Sequence, residues 1–236
     1  MRGVFITGTD TNVGKTCLAA ALIRALRSRG VRVGAYKPVC SGAETAAHGS
    51  VCWPDIDALT EAIGDSDFDE LVCPTRLTAP LAPPVAARLE GRELSLNAML
   101  AGLRCWEERA DFIVVEGVGG WLCPLTATET VRDFAMTLGW PVLVIAAQRL
   151  GTINHTLLTV ESVRQAGLPL VGVALNEASG DPDASAAGNA EQIERYGGGP
   201  ILGVLRHSSI SELQQDETLI SISDAVMNSS RQFSPS

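Results

Sequence analysis

Short, mostly apolar runs separated by stretches with helical spacing restrict the folds open to this chain. The runs lie at residues 4–7, 31–36, 112–115, 142–147, 171–175 and 201–205. Strands that are buried on both faces of a parallel sheet have such nearly continuous Val and Ile runs. Residues 16–29 have the apolar spacing of an amphipathic helix. The alternation predicts a doubly wound α/β fold, with a mostly parallel central sheet and helices on both faces.

One domain is expected from the length of 236 residues, with 46% hydrophobic positions available for a core. No internal repeat or linker is visible, so we assign residues 1–228 to this domain. The small and polar residues 229–236 predict a flexible C-terminal tail. Further helices are expected at residues 55–63 and 94–109. Residues 74–84 contain four of the 12 prolines and are expected to form an extended loop.

The charge balance and the apolar pattern argue against several functional classes. A formal net charge of −9 disfavours binding to nucleic acid or to a membrane surface, because both need local clusters of Lys and Arg. No apolar run approaches the ~18–20 residues that span a bilayer. The six cysteines form no C-x-x-C pair, and the three histidines form no metal-binding pattern. No secretory signal is visible, so we expect a cytoplasmic protein with reduced thiols.

The segment between the first predicted strand and the first predicted helix has the pattern of a phosphate-binding loop. It reads Gly-Thr-Asp-Thr-Asn-Val-Gly-Lys-Thr over residues 8–16. Gly14 allows close approach of the backbone, Lys15 would reach the β- and γ-phosphates, and the Thr16 hydroxyl would bind Mg²⁺. Thr9 replaces the first glycine of the common pattern, but the strand and helix on either side favour a phosphate loop over an ordinary glycine turn. The segment therefore predicts a single-domain P-loop NTPase-like fold.

Acidic residues near the same predicted crevice are candidates for a Mg²⁺ site. Glu116 follows an apolar run, at the carboxyl end of a strand, where α/β sheets bind their ligands. Asp55 and Asp57 lie at the start of the second predicted helix, where helix capping is an equal alternative. The pattern leaves open which of these two carboxylates faces the metal.

Only two of the 18 basic residues are lysines, Lys15 and Lys37. Lysine is a compact point charge and arginine is a wide planar fork, so we expect the two lysines at positions where arginine does not serve. Lys37 ends the second predicted strand and precedes a proline, so it is expected to point into the crevice of the phosphate loop. Two cations there suit an anionic substrate that receives a phosphoryl group.

Four motifs resemble those of the dethiobiotin synthetase family. They are Gly-Thr-Asp-Thr-x-Val-Gly-Lys-Thr at 8–16, Tyr-Lys-Pro-Val-x-Ser-Gly at 36–42, Val-Glu-Gly-x-Gly-Gly at 115–120 and Leu-Gly-Thr-Ile-Asn-His at 150–155. The resemblance implies an ATP-dependent cyclo-ligase of biotin biosynthesis. Its substrates would be 7,8-diaminononanoate, CO₂ or bicarbonate, and ATP with Mg²⁺. The reaction would pass through a carbamate and a carbamic–phosphoric anhydride.

The resemblance also implies a role for each matching residue. The nucleotide would contact Asp10, Thr11, Asn12, Val13, Gly14, Lys15, Thr16, Cys17, Glu116 and Asn176. The metal would be bound by Thr16, Glu116 and Asp55, which is preferred here to Asp57. The catalytic residues would be Lys37, Lys15, Thr11 and Ser41. The substrate would contact Thr11, Lys37, Ser41, Gly151, Thr152, Ile153 and Asn154, the last four across the interface of a homodimer.

Two positions of the sequence depart from the family pattern. Glu177 stands where the family usually has Asp, and Arg206 lies where it tends to have proline, which leaves the nucleotide selectivity open. A ParA/MinD-like ATPase switch would share the fold. Such proteins carry a signature lysine five residues before the lysine of the loop, and this chain has Asp10 there. The sequence therefore favours the synthetase.

Overall fold

A six-stranded parallel sheet forms the centre of the fold, as the apolar runs predict. The computed structural model describes residues 1–45, 49–177, 184–206, 210–213 and 216–232. The strands are β1 (Arg2–Gly8), β2 (Val33–Tyr36), β3 (Cys40–Ser41), β4 (Glu44–Thr45), β5 (Val51–Cys52), β6 (Arg76–Leu77), β7 (Phe112–Glu116), β8 (Val142–Ala147), β9 (Leu170–Asn176) and β10 (Ile201–Leu205). The helices are α1 (Lys15–Ser28), α2 (Pro54–Ile63), α3 (Asp69–Val72), α4 (Pro83–Leu89), α5 (Leu96–Arg104), α6 (Val131–Leu138), α7 (Thr152–Gln165), α8 (Asn189–Arg195), α9 (Ile210–Leu213) and α10 (Glu217–Gln232).

The strand order places the predicted phosphate loop at a reversal of the sheet topology. The order is β10-β9-β8-β1-β7-β2, and neighbouring strands are parallel throughout. From β1 the chain continues to β2 on the side of β7, whereas β8 lies on the other side of β1. Ligands of open α/β sheets bind beyond the carboxyl ends of the strands at such a reversal. The segment that follows β1 is therefore placed where a ligand is expected.

Helices cover both faces of the sheet, as predicted. On one face α1 packs against α2, α9 and α10, whereas α5, α6, α7 and α8 lie on the other. Side chains alternate along β1, so Val4 and Ile6 face α1 and Phe5 faces the opposite layer. The Phe5 ring lies 6.4 Å from the Trp121 ring and 6.0 Å from the Phe134 ring, measured between centroids. These five side chains are at most 3% exposed, so each face of the sheet has its own apolar layer.

Two helices differ from the expectations in extent or position. The fifth helix ends at Arg104, short of the predicted end at residue 109. The proline-rich segment 74–84 is not wholly extended, because α4 begins within it at Pro83. Proline fits the first turn of a helix, where the missing N–H would have no partner within the helix. Prolines therefore start this helix, although their number suggested a loop.

The C-terminal helix is longer than the sequence suggested. It continues to Gln232, so residues 229–232 are helical, whereas their composition predicts a flexible tail. Packing accounts for this difference, since Ile222, Val226 and Ser230 recur at helical spacing and are buried. Residues 233–236 of the predicted tail lie outside the described residues. In the described chain, no helix combines the length and the apolar character needed to cross a membrane.

Candidate active site

A cavity of about 960 Å³ opens at the carboxyl ends of β1, β2, β7 and β9. Its walls include most of the predicted site residues: Thr11, Asn12, Gly14, Lys15, Thr16, Cys17, Lys37, Ser41, Asp55, Glu116 and Asn176. Arg206, at the position that left nucleotide selectivity open, also lines it. The segment before α4 adds a wall that sequence reasoning missed, because Pro80, Leu81 and Ala82 carry no chemical motif.

The phosphate loop joins β1 to α1 with its donors next to the cavity. Gly14 has φ 95°, and a Cβ atom there would lie 2.1 Å from Nδ2 of Asn176, so only glycine fits. No side chain of the described residues caps α1, which leaves its first N–H groups open to an anion. Lys15 Nζ donates to the carbonyl oxygen of Asp10 over 2.9 Å. Burial lowers the pKa of Lys15 from its ordinary value. The arrangement suits the binding of phosphate.

Lys37 lies within a cluster of opposite charges on another wall of the cavity. Parallel pairing of Tyr36 with Val115 brings the next residues, Lys37 and Glu116, side by side. Lys37 Nζ donates to Oε1 of Glu116 over 2.7 Å and to the carboxylate of Asp55. The residue is only 2% exposed, and burial opposes its charge, but Glu116 and Asp55 outweigh burial and raise its pKa above the ordinary value. Lys37 is therefore a cation at neutral pH.

Thr16, Glu116 and Asp55, the three residues predicted to bind the metal, meet at this cluster. Thr16 Oγ1 donates to Oε1 of Glu116 over 2.8 Å. Glu116 is fully buried, and its Oε2 accepts no hydrogen bond from any residue that the structure describes. A buried carboxylate oxygen without a partner is costly. Hydroxyl and carboxylate oxygens are ligands of Mg²⁺, so the residues present fit that ion.

The structure separates the two acidic residues at the start of α2. Asp55 lines the cavity and contacts Lys37. Asp57 is exposed and is absent from the cavity walls. Burial opposes the charge on Asp55, but Lys37 outweighs it and lowers the pKa of this carboxyl group. Of the two alternatives, Asp55 is the one in position for a metal.

Two further contacts connect the phosphate loop to residues at or just after the carboxyl ends of β9 and β8. Asn176 Nδ2 donates to the carbonyl oxygen of Val13 over 3.0 Å, which joins the end of β9 to the loop. The Asp10 carboxylate, which is not on the cavity wall, accepts hydrogen bonds from the Thr11 N–H over 2.7 Å and from Arg149 Nη2 over 2.9 Å. Sequence reasoning missed Arg149, because 139 positions separate it from Asp10 and no local motif marks it.

The fourth motif lies outside the cavity walls of this chain. Gly151, Thr152, Ile153 and Asn154 are at the start of α7. Thr152 is 3% exposed, and its hydroxyl has no hydrogen-bond partner among the described residues. The contact of these four residues with a substrate, across the interface of a homodimer, stays a prediction.

Comparison with known proteins identifies the family. A family model described as an AAA domain matches residues 2–214. The ATP-dependent dethiobiotin synthetase BioD of Anaeromyxobacter dehalogenans (strain 2CP-C) is 48% identical over 195 residues, which cover 83% of this chain and 85% of the relative. This chain belongs to the dethiobiotin synthetase family. The protein of the same name from Bacillus subtilis (strain 168) is 40% identical over 204 residues, which cover 86% of this chain and 87% of that one.

Solved structures with a similar fold come from P-loop ATPases. The septum site-determining protein MinD of Pyrococcus horikoshii, solved with Mg-ADP, matches with a TM-score of 0.57 at 16% identity, over 95% of both chains. A ParA family ATPase of Chlorobium tepidum matches with a TM-score of 0.55 at 15% identity, over 96% of this chain and 91% of that one. Such low identities show the fold alone, and they confirm the predicted P-loop NTPase-like fold of this synthetase-family member.

Proposed function

We propose that this chain catalyses the ATP- and Mg²⁺-dependent closure of 7,8-diaminononanoate and CO₂ to dethiobiotin. The name of its relatives supports the reaction, and the residues that line the cavity support the proposed mechanism. The observation that carries the proposal is Lys37, a buried cation on the same cavity as the phosphate loop. A cation at that place can neutralise a carbamate and a transferring phosphoryl group together.

The proposed chemistry has three steps. One amine of the diamine adds to CO₂, which gives a carbamate and releases a proton. A carbamate oxygen attacks the γ-phosphorus of ATP, the bond from that phosphorus to ADP breaks, and a carbamic–phosphoric anhydride forms. The second amine attacks the carbonyl carbon, the C–O bond to phosphate breaks, and a proton is released as the urea ring closes. ADP and phosphate are the other products.

Lys37 acts in this proposal through its charge. Its pKa lies above the ordinary value, so the ammonium group holds its proton at neutral pH and cannot serve as a general base. With Thr11 and Ser41 on the same cavity, it would hold the carbamate and the incoming phosphoryl group. Phosphoryl transfer needs little covalent help from a protein, so positioning and neutralisation of charge provide most of the rate.

The nucleotide would lie along the phosphate loop. Lys15 and the first N–H groups of α1 would bind the triphosphate, and Asn176 at the end of β9 would contact the base. Thr16, Asp55 and Glu116 would hold Mg²⁺, which when bound neutralises charge on the phosphate oxygens.

The carboxylate tail of the diamine is assigned to the start of α7. The N–H groups at the start of a helix bind anions, and residues 151–154 would supply them. These residues lie off the cavity walls of their own chain, so they would serve the cavity of a second copy. The proposal therefore includes a homodimer in the cytoplasm.

The deciding experiment is a reconstitution with purified protein. The protein is incubated with 7,8-diaminononanoate, bicarbonate and MgATP, and dethiobiotin and ADP are measured by mass spectrometry. We expect equal amounts of the two products and none without ATP. If ATP binds but no dethiobiotin forms, the proposed function is wrong.

A further inference from the structure

Arg149 forms an ion pair with an acidic residue of the phosphate loop. Its Nη2 lies 2.9 Å from Oδ2 of Asp10, and both side chains are about half exposed, at 51% and 50%. Arg149 lies outside the cavity walls, and the family motifs quoted above do not include it. The Asp10 carboxylate belongs to the motif of the loop, but its negative charge repels the polyanion that the loop is proposed to bind. The arginine supplies the opposite charge.

Asp10 takes part in three contacts that shape the loop. Its Oδ1 accepts the N–H of Thr11 over 2.7 Å, its carbonyl oxygen accepts Lys15 Nζ over 2.9 Å, and its Oδ2 accepts Arg149. A displacement of Asp10 would therefore move two residues that the proposed function places against the phosphates and the carbamate. The arginine is the only one of these partners that comes from another part of the fold.

Arg149 is itself held between the sheet and α7. Its N–H donates to the carbonyl oxygen of Ala147, at the end of β8, over 3.0 Å. Its carbonyl oxygen accepts the N–H of Thr152, at the start of α7, over 3.1 Å. Strand β8 pairs directly with β1, and Thr9 N–H donates to the carbonyl oxygen of Ile145 over 2.9 Å. The guanidinium group thus extends from a well-anchored backbone to the loop.

We propose that Arg149 is a positioning residue of the nucleotide site, which holds the Asp10 carboxylate and neutralises it so that the loop accepts a triphosphate. The inference rests on the proposed use of ATP. It assigns to Arg149 no contact with the substrate. Arg149 would act on the nucleotide site only through Asp10. The effects of substituting the two residues should therefore not be additive.

The test is a double-mutant cycle on nucleotide binding, measured by calorimetry with a non-hydrolysable ATP analogue and Mg²⁺. In Arg149→Ala the carboxylate of Asp10 loses its counter-charge, and we expect the Kd to rise about fivefold, as fits a half-exposed pair. In Asp10→Asn/Arg149→Ala the repelling charge is gone while an amide oxygen can still accept the Thr11 N–H. In the Asp10→Asn background, Arg149→Ala should therefore change the Kd by less than about twofold. Arg149→Lys keeps a cation and should restore at least half of the loss.

A matched control is available at the opposite end of the sheet. Arg32 pairs with Asp111 over 2.6 Å, with side chains 61% and 48% exposed, just before β2 and β7. Arg32→Ala removes a surface pair of the same kind and should leave the Kd unchanged. The steady-state parameters add a second readout, since in Arg149→Ala the KM for ATP should rise by a larger factor than kcat falls.

Two results would overturn the inference. One is wild-type binding of the analogue by Arg149→Ala. The other is a loss of affinity from Arg149→Ala that is as large in the Asp10→Asn background as in the wild type, because Arg149 would then act by a route other than Asp10. Binding is measured without turnover, so a failure of this inference is distinct from a wild-type protein that binds ATP but forms no dethiobiotin.

Discussion

Lys37 Nζ lies 2.7 Å from Oε1 of Glu116, and both side chains are almost completely buried. The lysine also contacts Asp55, so the ammonium group sits between two of the three residues proposed to bind the metal. A buried pair of this kind is costly to break from one side, because the remaining charge is left without a partner. The Lys37 ammonium group thus neutralises the carboxylates of Glu116 and Asp55 and faces the proposed site of phosphoryl transfer.

Replacement of Lys37 by arginine should abolish most of the activity while the fold survives. The position is 2% exposed and lies between two carboxylates, so a planar guanidinium group cannot take the place of the compact ammonium group. We expect a loss of turnover on the order of 100-fold, as is typical when one charge-stabilising donor is displaced. Turnover is measured as dethiobiotin formed, with circular dichroism to check the fold. Near-normal turnover of Lys37→Arg would refute the role given to Lys37.

Removal of the charge at residue 37 should strengthen binding of a divalent ion in the absence of nucleotide. Lys37→Met leaves Glu116 and Asp55 without their shared cation, and the charge it removes is only a few ångströms from both. At an effective dielectric constant of ~20 such a charge is worth several kcal/mol, so we expect at least a ~10-fold lower Kd for Mn²⁺. Electron paramagnetic resonance of free Mn²⁺ measures this Kd directly in the wild type and in Lys37→Met. An equal or weaker affinity would show that Lys37 and the ion do not compete.

Asp55 and Asp57 offer a paired test of the metal assignment. Asp55→Asn removes a carboxylate from the cavity and should reduce kcat/KM about 100-fold, since metal ligation of the phosphates is worth several kcal/mol. Asp57→Asn changes the same residue type in the same first turn of α2, on an exposed position outside the cavity walls. It should leave kcat/KM within about twofold. Equal effects of the two substitutions would contradict the assignment.

Stability in acid should depend on Asp133, at the start of α6. The N–H and the hydroxyl group of Thr130 both donate to Oδ2 of Asp133 over 2.7 Å. Those bonds lower the pKa of Asp133 below its ordinary value of 3.8. A carboxyl group whose pKa is lowered by folding stabilises the folded state at pH values above its pKa in the unfolded chain. This stabilisation is lost as the pH falls through its pKa in the folded protein.

The expected result is a difference that depends on pH. Asp133→Asn keeps an oxygen that can accept the Thr130 donors but loses the negative charge at the start of α6. It should lower the free energy of unfolding by about 0.3–1 kcal/mol at pH 7, as is usual for such a charge. At pH 2 the wild type should lose most of this advantage, so that the two curves converge. Urea denaturation at both pH values measures the difference. A gap that is as large at pH 2 as at pH 7 would mean that ionisation of Asp133 does not contribute.

Much of the site could be predicted because its chemistry is local in the chain. The phosphate loop needs a strand, a tight turn with Gly14 and a helix start, and these are consecutive. Lys37 and Glu116 could be placed together because each follows an apolar run, and parallel strands bring their carboxyl ends to one edge. Strand positions agreed with the structure for the same reason, since buried parallel strands are nearly continuous apolar runs.

Other features depended on packing between distant segments. Asp55 and Asp57 are the same residue type in the same helical turn, and only the resemblance to the family favoured Asp55. Two residues turn a helix by about 200°, so the packing of α2 against α1 decides which of the two faces the cavity. Prolines that suggested a loop begin α4, and buried positions such as Val226 and Ser230 extend α10 to Gln232.

The sequence by itself determined the fold class, the phosphate loop and the two lysines of the site, because periodicity and short motifs carry that information. The tertiary structure alone decided that Asp55 joins Lys37 and that Arg149 reaches Asp10. The physical reason is distance along the chain. Contacts between residues 18 and 139 positions apart follow from how helices and loops pack on the sheet, and no local pattern records that packing.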